Sequence, residues 1–75
     1  MPHEPYLADA EDARLVSQTA AEWVARDGAQ AVGALRRHAW QAKSQGDDLS
    51  YRAWRDIADE AERLLRRIGG RALLN

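Results

Sequence analysis

His3 and His38 are the only imidazoles in a 75-residue chain that contains no cysteine. A zinc or other transition-metal centre draws three or four ligands from imidazole, thiolate and carboxylate, so this supply falls short of a site and no metal or other cofactor is expected. The hydroxyls of Ser17, Ser44 and Ser50 lack the elbow or neighbouring base that would activate a nucleophile, and Ser50 suits the first turn of a helix better. Carboxylates stand side by side at Asp47-Asp48 and Asp59-Glu60. General acid–base work needs an apolar cleft to shift their pKa values, and without one they read as helix caps and surface charge. The glycines lie singly or at a helix end, so they form no phosphate-cradling loop. Neither catalysis nor a small-molecule substrate is expected.

The cations carry more information. A net charge of −1 hides an uneven distribution: residues 1–35 hold two arginines against six carboxylates, net −4, while residues 36–75 hold nine basic and six acidic side chains, net +3. A chain polarised in this way can self-associate or lay a basic face on an acidic partner. A nucleic-acid surface would draw on Arg36, Arg37, His38, Lys43, Arg52, Arg55, Arg66, Arg67 and Arg71, with Arg52 and Arg55 at the start of a recognition helix. Asp56, Asp59, Glu60 and Glu62 interleave with those arginines and would repel phosphates. A small nucleic-acid-binding regulator is therefore the alternative reading.

The first reading is a protein–protein interaction module, and it starts from Trp40. On a helical wheel Trp40 falls about 140° from Leu35, with Arg36 and Lys43 between it and the apolar arc. Trp and Arg are frequent interface anchors, so Trp40, Arg36, Arg37 and Lys43 are the candidate partner contact, with Leu73 and Leu74 as secondary candidates. A competing placement packs Trp40 on Trp54, on Tyr51 or on the Tyr6-Leu7 segment, or shelters it under Arg36 by a cation–π contact. The partner is expected to be a second copy, as a homodimer, or a larger protein for which the chain is an adaptor or regulator.

Three amphipathic helices must position these residues. Pro2 and Pro5 disfavour a helix at the start, and Asp9 is a plausible N-cap, so the first helix is expected near 9–26. Its apolar arc holds Ala13, Val16, Ala20, Trp23 and Val24; Leu15 falls off it and is expected to meet a folded-back Pro5-Tyr6-Leu7 segment. Gly28 relaxes the end of that helix, and Asp27 with Gln30 resembles a capping box for the next. The second helix is expected near 29–45, burying Val32, Leu35, Ala39 and Ala42, with Gly33 explained by a close helix approach. Gly46 stops it, Asp47 or Asp48 caps the third, and the third runs near 48–68 until Gly69-Gly70, leaving a short tail. Trp54, Ile57, Ala58, Ala61, Leu64, Leu65 and Ile68 share its apolar face, while Arg52/Asp56, Arg55/Asp59, Asp59/Arg63 and Glu62/Arg66 are spaced as i,i+4 pairs.

These elements make residues 1–75 a single all-α domain, a small three-helix bundle whose second and third helices form an antiparallel hairpin. A chain of this size hides only about 60% of its unfolded surface, so a partner subunit would add stability. No segment approaches the ~18 unbroken apolar residues of a membrane span, and the start lacks a basic region ahead of an apolar core; a cytoplasmic location is expected. The stretch from Ala29 to Leu65, with Gly46-Asp47, Trp54, Ile57-Ala58, Ala61 and Leu64-Leu65, resembles short uncharacterised helical proteins of alphaproteobacteria, a domain of unknown function. That resemblance implies the helical fold and a bacterial cytoplasmic setting, and it assigns no site residue.

Overall fold

The computed structural model describes residues 5–74, with side chains over residues 12–69. Three helices follow one another: α1 (Pro5–Asp27), α2 (Gln30–Ser44) and α3 (Asp48–Leu74), and no strand occurs among the described residues. The α2/α3 pair makes the most extensive contact, and α1 packs more on α3 than on α2.

The seam is built from small residues. Ala20, Val24, Ala31, Leu35, Ala58 and Ala61 form the buried cluster, and Trp23, Val32, Trp54, Ile57, Leu64 and Leu65 close over it half-buried. Alanines leave little volume to fill and let the helix axes approach, and Leu35 is the largest side chain that the seam buries completely. One aromatic from each helix meets where the three cross. The His38 ring (α2) stacks on Trp54 (α3) with centroids 4.5 Å apart and an interplanar angle of 18°. The Trp23 ring (α1) stands edge-on to both, at 5.6 Å from His38 and 6.2 Å from Trp54. Such pairs add about 0.5–1.5 kcal/mol each beyond the area they bury.

The α2/α3 turn follows from two residues. Gly46 takes φ +76°, a region that costs an L side chain roughly 1–2 kcal/mol. Around it the Asp47 N–H donates to the Ala42 carbonyl at 2.9 Å and the Gly46 N–H to the Lys43 carbonyl at 3.0 Å, the double closure of a Schellman motif. Asp47 then caps α3: its Oδ1 accepts the Ser50 N–H at 3.1 Å, and its carbonyl accepts the Tyr51 N–H at 3.0 Å. The Ser50 hydroxyl, and after it the Ser50 backbone, stabilise the charged carboxylate and hold the Asp47 pKa below its usual value. Gly28, at φ +62°, ends α1 in the same left-handed way, its N–H donating to the Val24 carbonyl at 2.7 Å.

Several expectations require correction. Helix α1 begins at Pro5, so Asp9 lies inside it and is not its N-cap. Proline at the first helical position gives up an N–H that has no partner there in any case. A continuous helix from Pro5 also removes the fold-back, and Leu15 stands 61% exposed. The cap of α2 is Ala29, without a side-chain hydrogen bond; Asp27 is taken by Arg26 at 3.3 Å, so the expected capping box does not form. Gly33 does not mark a close approach, since a Cβ built there meets only the Arg37 Nη1, at 3.9 Å. Gly69-Gly70 does not stop α3, which continues to Leu74. A helical glycine costs about 1 kcal/mol, less than the rest of a long amphipathic helix supplies, and Gly69 takes no positive φ.

Candidate functional site: the outer face of α2

The buried arc of α2 is Ala31, Leu35, Ala39 and Ala42. At 100° per residue the opposite side of the helix carries Gly33, Arg37, Trp40 and Ser44, spaced four, three and four apart, and all four are exposed. Trp40 is 66% exposed, an uncommon position for the largest apolar side chain. Core packing does not claim it: the Trp54 ring, one of the partners expected for it, is occupied by His38 and Trp23. The Lys43 ammonium lies between Trp40 and Tyr51, with Nζ 5.9 Å from the first ring centroid and 5.2 Å from the second. The Tyr6-Leu7 side chains, another expected partner of Trp40, lie outside the described residues.

Beside Trp40 a shallow hollow is lined by Ala34, Arg37, His38, Trp40 and Gln41. Ala34 and Gln41 are not singled out by the sequence, and His38 reads there only as a metal ligand or a nucleic-acid contact, although with Arg37 the three follow a spacing of three, one and three that puts them on one ridge of the helix. His38 lines the hollow and also stacks its ring on Trp54, so the hollow abuts the three-helix junction.

The three cations expected around Trp40 part company. Arg37 and Lys43 make no ion pair among the described residues and stay beside Trp40. Arg36 turns toward α3, its Nη2 3.0 Å from Asp59 Oδ1 and 3.3 Å from Glu62 Oε1, and so braces the hairpin instead of stacking on Trp40. The secondary candidates Leu73 and Leu74 fall in the last turn of α3, and their side chains lie outside the described residues.

The carboxylates are largely consumed by cations. Glu60 accepts from Arg63 at 2.7 Å, which raises the Arg63 pKa by that hydrogen bond and then by the charge, and it also meets Arg67 at 3.7 Å. Glu62 meets Arg66 at 3.6 Å, the one i,i+4 pair that forms as spaced; Arg55 instead meets its neighbour Asp56 at 3.3 Å. Asp59 and Glu60 share an open groove with Asp12, Ser17, Asp56 and Arg63. Among the described residues, no three His, Asp or Glu side chains converge as metal ligands would, and no helix is long and apolar enough to cross a membrane.

Comparison with protein-family models, with curated proteins and with solved structures finds no match to this chain. The reading therefore rests on the site itself.

Proposed function

We propose that the chain is a non-enzymatic protein–protein interaction module whose contact is centred on Trp40, with Arg37 and Lys43 beside it. The observation that carries this reading is an exposed tryptophan on the side of α2 opposite the core, flanked by two cations that no carboxylate neutralises among the described residues. A side chain of that size in water loses the free energy it would gain by burial, and a partner restores it; Trp dominates contact energies for that reason. Self-association as a homodimer is the preferred form, and docking on a larger protein as an adaptor or regulator is the other. The bacterial cytoplasmic setting belongs to the same proposal.

The nucleic-acid alternative draws less support, because Arg36, Arg55, Arg63, Arg66 and Arg67 are each within ion-pair distance of a carboxylate. A phosphate would have to displace those carboxylates to gain contacts with the same arginines.

The test is the solution mass by light scattering over a dilution series, for wild type and Trp40→Ala together. The expected result is an associating wild type and a folded variant of monomer mass. A variant that loses its helical signal would show that Trp40 is core. Wild-type monomers at every concentration would remove self-association, and failure of Trp40→Ala to change capture of a native-host partner would then remove the adaptor form as well.

A further inference from the structure

Besides Trp40, the large apolar side chains Leu15, Leu49 and Ile68 are exposed, and of these Leu15 stands on a helix face rich in carboxylates. Leu15 of α1 is 61% exposed, on the side of the helix away from buried Ala20 and Val24, and Gln18 and Glu22 follow it on one exposed stripe at spacings of three and four. Helix α1 holds five carboxylates against two arginines over Pro5–Asp27, whereas α2 holds Arg36, Arg37 and Lys43 and no carboxylate at all. Glu22, on the Leu15 stripe, and Asp12, about 60° around α1 from Leu15 at the edge of the groove shared with α3, make no ion pair among the described residues. The two outer stripes thus carry one exposed apolar side chain each, within opposite charge.

We infer that the occupant of the Trp40 face is the α1 stripe of a second copy of this chain, laid antiparallel on α2. This inference rests on the interaction reading above and names the partner surface. The register follows from spacing alone. Setting Leu15 against Trp40 in antiparallel helices brings Asp12, three residues before Leu15, opposite Lys43, three residues after Trp40; the displacement is about 4.5 Å on each helix. It brings Glu22, seven residues after Leu15, opposite Gly33, seven before Trp40, a displacement of about 10.5 Å on each. The Arg37 guanidinium lies over Gly33, with Nη1 3.9 Å from where a Cβ would stand. The carboxylate of Glu22 therefore arrives where the Arg37 charge already sits. The glycine, unexplained by any contact within the chain, is the position that leaves room for both.

An α2-on-α2 dimer is the poorer solution, because it would bring together four cations, Arg37 and Lys43 of each copy, with no carboxylate of α2 between them. The α1-on-α2 contact is heterologous, so in a twofold dimer it is made twice, and otherwise it propagates from copy to copy. Arg14, about 100° around α1 from Leu15, stands at the rim of the stripe.

Two charge-reversed proteins test the register. One carries Arg37→Glu and Lys43→Glu, so that both of its outer stripes are acidic; the other carries Asp12→Lys and Glu22→Lys, so that both are basic. Each is checked for wild-type helical signal and weighed alone and as an equimolar mixture. The expected result is association at least tenfold weaker than wild type for each alone and recovery in the mixture, where acidic and basic stripes face each other again. Leu15→Ala and Trp40→Ala should each weaken wild-type association, the latter about thirtyfold. Association that depends on Trp40 but ignores the α1 reversal, or a mixture no stronger than its components, overturns the α1 assignment while leaving the interaction module in place. Monomeric wild type throughout the dilution series overturns it together with self-association.

Discussion

Replacing Leu35 and Trp40 by alanine should have very unequal consequences for stability, with the smaller side chain costing more. Leu35 is fully buried in a seam whose other buried residues, apart from Val24, are alanines, and the larger side chains packed over that seam, among them Trp54, Ile57 and Leu64, are half-buried and would have to leave their own contacts to fill the space. Three lost carbons at ~0.8 kcal/mol each give about 2.4 kcal/mol of transfer free energy. The unrelaxed cavity brings the cost to about 3–4 kcal/mol. A 75-residue domain at roughly 0.05–0.15 kcal/mol per residue holds about 4–11 kcal/mol in total, so Leu35→Ala removes about a quarter of it or more. Trp40, 66% exposed, should cost no more than about 0.5 kcal/mol, the usual range for surface changes. Urea unfolding followed by far-ultraviolet circular dichroism, at a dilution that keeps the chain monomeric, measures both. A Trp40→Ala loss as large as that of Leu35→Ala would place Trp40 in the core and refute the surface assignment.

Three further outcomes follow from backbone and capping. Gly33→Ala should stabilise the monomer by up to about 1 kcal/mol, seen as a higher Tm, because the added methyl meets only a movable arginine tip; a loss would mean that α2 is crowded there within the chain. Gly46→Ala should destabilise by about 1–2 kcal/mol by the same measurement, since φ +76° penalises any Cβ, and an unchanged Tm would contradict the left-handed turn. The lowered Asp47 pKa contributes stability that is fully present above its usual value of 3.8 and is lost as pH falls through the lower folded value. An acid titration of wild type should therefore lose stability in that window, and Asp47→Asn, which keeps an accepting oxygen but cannot titrate, should flatten this part of the profile.

The hairpin was legible from the sequence because its signals are local. Gly46 and Asp47 fix a turn through their own φ and side-chain oxygen, and the apolar period of helix 3 marks a face that the packing confirms at Ala58 and Ala61. The helix ends that depend on competition were less readable. Pro5 and Gly69 each carry a cost that a long helix overrides, so neither acts as the stop its residue type suggests. At the candidate site the wheel position of Trp40 was readable, because it follows from spacing within one helix. The fate of Arg36 was not, since its ion pairs reach across to Asp59 and Glu62, at sequence separations of 23 and 26. His38 reads from the sequence as a metal ligand or a nucleic-acid contact, and its packing against Trp23 and Trp54 depends on how three helices cross.

The aromatic junction gives the protein two optical reporters without any label. Trp23 and Trp54 are half-buried in contact with His38, while Trp40 faces water. Emission from the first pair follows the crossing of the helices and falls away only when they separate, whereas the red-shifted emission of Trp40 responds to whatever covers α2. Unfolding and docking therefore move different parts of one fluorescence spectrum. A partner that shifts the red edge toward the blue while leaving the junction component unchanged has bound to an intact bundle.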